Sequence, residues 1–503
     1  MGLSHTISFY QPAIGIEKVF DSLLRKGTNV QLTIDDDLQR IARSEVLKEI
    51  EWINRKKEYR LSALQNELNM EDNKIVAKMI KNQINTIEKN STSGALIILN
   101  QSGEILSAVS EPSAPLDMKA INKAFELAQL NPDNNLLINK AIFQPQWSPG
   151  SSMKLLTAIA ALEVQKQNPW IEGVLKGNHC LNGHKSGLLD SFTLPNGKRI
   201  ISNLSNFKRK KVIKEMSDLS GALAKSYIVY FGYLGLLMSK TIMSDSNMLN
   251  HNDRFWWRSF ADISICYADN PLLKIAEIVG YNRYLNLMPV SHKKLQKMEY
   301  INEYFFCKPG IFPQVNLSQI ALTRNAIGQG QVRTTPLLNA IISLMIAQNG
   351  KLTSVSLIKQ VYSGKDEEKE ELFCYRPESK QVLKTDTKLT RLKRGMNWVV
   401  NGKQRPLKKW EVNKLSGSRY GTAVATFNDS ILKHYLYGKT GTSEAGVDGQ
   451  DGHSWFVCFI KLPNEKIYSI AAVFPYGGSG SRHAAECVKR ILNKMNRYYE
   501  WSL

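Results

Sequence analysis

Between Ser93 and Gly94 the apolar residues of this chain change period, and that change sets what the chain can fold into. Upstream, roughly residues 37–91 are charged, free of Pro and Gly, and carry Ile41, Val46, Ile50 and Ile53 at helical spacing. Asp35, Asp36 and Asp37 offer caps for a helix there. The segment reads as one or two long amphipathic helices with a break near Glu71-Asp72-Asn73, and its blandest role is a solvated arm. Downstream, Ala95–Leu99 alternates as a strand, Asn100-Gln101-Ser102-Gly103 is a hairpin turn, and Glu104–Ser110 is the return strand. Strand patterns come back only at Leu432–Lys439, His453–Leu462 and Lys466–Tyr476, before a last helix at about 483–497. Between them, a helix from about Ser151, a polar surface stretch at 165–215 and an apolar helical run at 216–240 are expected. The fold class is therefore α/β of the α+β type. An antiparallel sheet is flanked by helices, and a helical subdomain (about 112–410) is inserted after the first hairpin. Val30–Ile34 reads as an isolated strand, preceded by a short helix candidate at Ile14–Arg25.

Composition narrows the classes. Hydrophobic residues at 43% and charged residues at 22% exclude a disordered chain. The 503 residues carry a formal charge of +21, which fits nucleic acid, anionic lipid or an acidic substrate without choosing among them. The basic runs Arg55-Lys56-Lys57 and Phe207–Lys211 are not interleaved with aromatics, so no nucleic-acid partner is expected. Cys180, Cys266, Cys307, Cys374, Cys458 and Cys487 form no C-x-x-C pair, so no zinc ribbon is expected, and there is no H-E-x-x-H. No apolar run reaches about 18 residues, and no export signal is visible.

The chemistry concentrates at Trp147-Ser148-Pro149-Gly150-Ser151-Ser152-Met153-Lys154, which leads into an apolar helix. A Pro-Gly turn delivers Ser151 to a helix start, where free N–H groups favour developing negative charge. Lys154 follows one turn later on the same face. A Ser–Lys pair is a nucleophile and its base only if the lysine is neutral, and burial or a second cation achieves that. Ser-x-x-Lys recurs at Ser205, Ser291, Ser356 and Ser430, but only Ser151 has the turn before it and the long apolar helix after it. Lys439-Thr440-Gly441-Thr442, at the end of the strand Tyr435–Gly438, adds a second cation, hydroxyls for a carboxylate, and a glycine that lets a substrate approach the backbone. Lys185-Ser186-Gly187 is a looser match in a polar loop.

Ser-x-x-Lys with a later Lys-Thr-Gly belongs to the motif set of serine β-lactamases and penicillin-binding proteins. The chain resembles the transpeptidase domain of penicillin-binding proteins, most nearly class B. Gly15–Asp21, Val30–Asp35, Gly94–Ser110, Asn139–Ile142, Ala326–Gly330 with Thr335-Pro336, and His453–Phe456 carry the likeness in order over about residues 13–500. It divides the chain into a linker or pedestal remnant (1–35), a helical arm (36–92) and a transpeptidase-like domain (93–503). Ser151 then matches the acylated nucleophile, Lys154 its base and Lys439 the second cation. Thr440 and Thr442 match the carboxylate-holding positions, with Gly441 between them. The backbone N–H groups of Ser151 and Thr442 match the oxyanion hole.

The third motif of that family, Ser-x-Asn, is incomplete. Ser226 is present in Ala222–Phe231, but Ile228 stands where the substrate-contacting asparagine is expected. Ile offers no donor or acceptor in place of the amide. The resemblance implies acyl transfer on D-Ala-D-Ala stem peptides of peptidoglycan and acylation by β-lactam antibiotics, with no metal or cofactor. It also implies an extracytoplasmic location and a membrane-anchored cell-wall partner. Two alternatives stay open: a non-catalytic relative acting as scaffold or peptide binder, and a β-lactam-hydrolysing or sensing relative.

Overall fold

The computed structural model describes residues 28–89, 92–113, 139–177, 180–183, 189–193, 199–201, 213–238, 270–288, 306–314, 319–363, 370–384, 389–402, 421–443 and 451–501. The expected helix at 14–25, Lys185-Ser186-Gly187 and the basic run 207–211 lie outside these residues.

A short strand, β1 (Thr28–Leu32), pairs antiparallel with Ile358–Ser363. Two helices follow, α1 (Asp36–Met70) and α2 (Lys74–Lys89), separated by Glu71–Asn73. Asp35 caps α1 by accepting from the Leu38 N–H, one of the free donors of a first turn. Only the first half of α1 is buried, through Ile53.

The central sheet joins β2 (Gly94–Asn100) and β3 (Ile105–Glu111) to β4 (Leu436–Ser443), β5 (His453–Lys461) and β6 (Ile467–Phe474), in the order β4-β5-β6-β2-β3, all antiparallel. Register places Ile98 opposite Ile470 and Lys439 opposite Val457. Alternation divides the side chains between two cores. Ile97, Leu99, Val457 and Ala471 face the larger core, where α6 (Pro336–Ala347) packs; the insert contributes α3 (Lys154–Val164), α4 (Leu219–Ala224) and α5 (Ile228–Met238) to it. Leu96, Ile98, Cys458 and Ile470 face the other core, closed by α1 and by α7 (Ala484–Tyr498).

Several sequence expectations need correction. Residues 165–215 are not merely surface loop. They hold a helix (Pro169–Lys176) and a four-stranded antiparallel sheet from Cys180–Gly183, Leu189–Thr193, Arg199–Ile201 and Ile213–Met216. Strands of three to five residues leave too little alternation to read. The strand expected at Leu432–Lys439 begins later: the Ser430 side chain accepts from the Leu432 N–H and caps a 3-10 turn over Ile431–Tyr435. Lys439-Thr440-Gly441-Thr442 consequently lies within β4, the edge strand, rather than at its end. The apolar run expected to be helical at 216–240 holds two helices, α4 and α5.

Glu45 and Glu49 of α1 are buried and face α7. Arg490 donates to both (Nε to Glu45 Oε2, 2.6 Å; Nη2 to Glu49 Oε2, 2.7 Å), Lys494 bonds Glu45 at 2.7 Å, and His483 Nδ1 lies 2.8 Å from Glu49. Burial alone would raise the Glu45 carboxyl, but hydrogen bonds from Lys494, Arg490 and Lys48 outweigh it and bring it from 4.5 down to about 2. Its contribution to stability is thus complete above about 4.5 and lost as pH falls through about 2. Arg490→Met is expected to cost about 2–3 kcal/mol at pH 7, below the about 3–5 of a fully buried pair because Arg490 is partly exposed. Thermal melts at pH 7 and pH 2.5 check this, and the gap between wild type and variant should narrow at the lower pH.

Candidate active site

The turn carrying Ser151 is wedged between three backbone segments. Gly150 N–H donates to the Gly328 carbonyl at 2.8 Å, and Trp455 Nε1–H donates to the Ser148 carbonyl at 2.9 Å. Gly150 adopts φ +53°, and a Cβ there would stand 2.7 Å from the Thr442 carbonyl group. Gly328 adopts φ +76°, and its Cβ would meet the Gly150 oxygen at 2.0 Å. Both positions combine a left-handed backbone with no room for a side chain, so each needs glycine. Ser151 sits in a 3-10 turn, Gly150–Met153, and the α-helix proper starts at Lys154. Ser151 is partly exposed, whereas Lys154 is fully buried.

The break between α4 and α5 supplies the third side of the site. Asp218 caps α4, and Tyr227 N–H returns to the Ala222 carbonyl at 2.8 Å. This turn leaves Ser226 at φ +54°. Lys154 Nζ donates to the Ser226 carbonyl oxygen at 2.7 Å and lies 3.1 Å from Ser226 Oγ. Lys439 Nζ reaches the same Oγ at 2.9 Å and the Thr440 carbonyl at 2.6 Å. Ser226 thus sits between two fully buried lysines, and Lys154 spends its hydrogen bonds on Ser226 rather than on Ser151. The Phe231 ring lies 5.7 Å from Lys154 Nζ and adds a neutral wall.

Burial disfavours the charged form of both lysines. It brings Lys439 from 10.5 to about 7. It pushes Lys154 well below the ordinary lysine range, with the Lys439 charge adding to the effect. Lys154 is the group emptied of its proton first, which is what a base for Ser151 requires.

The remaining expected residues divide. Thr442 is exposed, with Gly480 N–H directed at its Oγ1 at 3.4 Å. Thr440 is buried, and its hydroxyl lies 2.6 Å from that of Thr422, a partner that no sequence pattern marked. Gly441 packs against the Ser151 turn, its Cβ position 3.0 Å from the Pro149 oxygen. Ile228 opens α5 and packs, half-buried, against the larger core. His453 is buried beside Tyr476, whose N–H donates to Nδ1 at 3.2 Å, and burial takes its ring down to about 4. Arg333 was also unmarked; its Nη1 donates to Ser148 Oγ at 2.8 Å and braces the residue three before Ser151. The Ser-x-x-Lys repeat at Ser356 is structural, its Oγ bonding the Leu287 and Ile358 carbonyls.

An unfolded lysine keeps its proton to about 10.5, whereas folded Lys439 releases it near 7. The penalty of burying that charge is complete below about 7 and relieved as pH rises toward 10.5. Lys439→Met is therefore expected to raise Tm at pH 6 by about 2–4 °C, with a smaller gain at pH 9, in calorimetric scans.

Residues 303–493 match the family model of the penicillin binding protein transpeptidase domain, a span that includes Lys439–Thr442 and begins after Ser151 and Ser226. No curated protein matches the chain by sequence. The D,D-transpeptidase domain of a peptidoglycan glycosyltransferase from Eggerthella lenta superposes with TM-score 0.58 at 18% identity, covering 99% of this chain and 91% of that one. Penicillin-binding protein A of M. tuberculosis, solved as a ceftriaxone acyl-enzyme complex, gives 0.58 at 17% identity, covering 97% and 90%. Penicillin-binding protein 2B of Streptococcus pneumoniae gives 0.55 at 17%, covering 95% of this chain but only 61% of its own. Residues 303–493 thus match the penicillin binding protein transpeptidase domain by sequence, and the chain shares the fold of solved transpeptidase domains over nearly its whole length.

Proposed function

We propose that the protein is a serine D,D-transpeptidase acting on peptidoglycan stem peptides outside the cytoplasm, beside a membrane-anchored cell-wall partner. The observation that carries this reading is Ser226 Oγ held between the buried amines of Lys154 and Lys439, next to the Ser151 turn. Ser151 Oγ attacks the carbonyl of the penultimate D-Ala, and neutral Lys154 takes its proton. The Ser151 and Thr442 N–H groups receive the developing oxyanion; one such donor is typically worth about 10²–10³ in rate. As the C–N bond breaks, the departing D-Ala amine takes a proton through the Ser226 hydroxyl. Thr442, exposed on β4, holds the terminal carboxylate beside cationic Lys439. An amine of a neighbouring stem then attacks the acyl-enzyme and gives its proton to Lys154, which passes it to Ser151 Oγ as the ester C–O bond breaks. A β-lactam acylates Ser151 by the same attack, its ring amide being the bond that opens.

Ile228 favours a second reading, a relative that binds stem peptides without turning them over. The two separate on a single measurement. Intact mass after incubation with a fluorescent penicillin is expected to show one adduct, lost in Ser151→Ala and formed about 10²–10⁴ times more slowly in Lys154→Ala. Folded wild type that forms no adduct supports the binding reading instead.

The acylation rate is also expected to depend on pH as a bell, because Lys154 must be neutral and Lys439 charged. The alkaline limb should fall near about 7, where Lys439 gives up its proton, and Lys439→Arg should move it upward.

A further inference from the structure

We infer that the backbone of Ser226, and not only its hydroxyl, is the positioning group for Lys154: a left-handed peptide unit that aims its carbonyl at the lysine amine. This rests on the proposed role of Lys154 as base for Ser151.

The shorter of the two contacts from Lys154 Nζ is to the Ser226 carbonyl, 2.7 Å against 3.1 Å to Oγ. The hydroxyl is shared, since Lys439 reaches it at 2.9 Å, whereas the carbonyl belongs to Lys154. Position 228 supplies no polar side-chain atom, so the peptide unit does what a side-chain acceptor would otherwise do. The carbonyl reaches Lys154 because α4 ends two residues earlier, at Ala224, and Ser226 takes φ +54°. Leu223 and Ala222 accept from the Ser226 and Tyr227 N–H groups, and Thr422 N–H donates to the Ala224 carbonyl, so the turn is held from both ends. No glycine occupies this strained position. A serine there keeps a hydroxyl for the two lysines and tolerates the left-handed backbone better than a β-branched residue.

Conformation and hydroxyl can be separated. Ser226→Gly removes the hydroxyl and favours the left-handed backbone. Ser226→Ala removes the hydroxyl and keeps Cβ. Ser226→Thr keeps the hydroxyl but is β-branched, and a left-handed backbone disfavours it by about tenfold in population. Each protein is titrated with a fluorescent penicillin, and its non-covalent Kd and acylation rate constant are read separately after a thermal melt confirms folding. The expected result is that Gly and Ala, which both lack the hydroxyl that relays the proton, acylate more slowly than wild type, with Gly about tenfold faster than Ala because a Cβ disfavours the left-handed backbone; Thr, which keeps the hydroxyl, also acylates more slowly than wild type, and Kd stays within about twofold. A Gly variant no faster than Ala, or a Thr variant as fast as wild type, would overturn the inference, because the hydroxyl would then be the only group that matters.

A second readout does not need acylation. With [ε-13C]lysine, the Lys154 signal is assigned by its loss in Lys154→Arg, and its titration midpoint is followed. The midpoint should move more in Thr than in Gly. A midpoint displaced in Gly and unmoved in Thr would overturn the inference even if wild type forms no adduct, which would bear on the transpeptidase reading alone.

Discussion

Two amines buried together without a carboxylate are the condition on which the site depends. Among the described residues, every hydrogen bond that Lys154 and Lys439 make goes to a neutral oxygen of Ser226 or Thr440. Two full charges so placed would each pay for desolvation with nothing but repulsion in return. The pair resolves this by shedding a proton, and geometry decides which lysine sheds it first. Lys439 sits on an edge strand next to its own carbonyl acceptor, while Lys154 starts a helix inside the larger core. The asymmetry that separates base from cation is thus a property of the packing around them.

The two cores make that packing rigid. The sheet contributes alternate residues to each, so β4 cannot shift without disturbing both. Against this fixed strand the Ser151 turn is held by backbone contacts at Gly150, Gly328 and Gly441 and by the Trp455 indole. Interiors packed this closely transmit small displacements, which is why the glycines are steric requirements and not merely flexible points. On the opposite face of the sheet, the α1–α7 carboxylate cluster locks the arm to the last helix and keeps that core closed.

Much of this was legible in the amino-acid sequence. The period change at Ser93-Gly94, the first hairpin and the late strands marked the sheet, and residue type with spacing marked Ser151, Lys154 and Lys439. What escaped did so for physical reasons. The end of α4 carries no glycine or proline near Ser226; a run apolar on every side reads as one helix, and only contacts with Lys154, Leu223 and Ala222 show the break. Glu45 and Glu49 looked like the wet face of an amphipathic helix because their partners His483, Arg490 and Lys494 come from the other end of the chain. The four strands between Cys180 and Met216 are too short for periodicity to identify. Thr422 became visible only once β4 placed Thr440 beside it.

The order of strands in the sheet carries a consequence for how the protein is made. β2 pairs with β6, and the Trp455 indole bonds the Ser148 carbonyl across 307 residues of sequence. The sheet therefore cannot close on a ribosome until nearly the whole chain has emerged, and contacts this distant in sequence form slowly because loop closure must come first. Until then Lys154 has neither Lys439 nor a sealed interior to strip its proton, and it remains an ordinary solvated ammonium group. A half-made chain presents Ser151 without a base. Under the proposed function, topology withholds acyl chemistry from the nascent polypeptide.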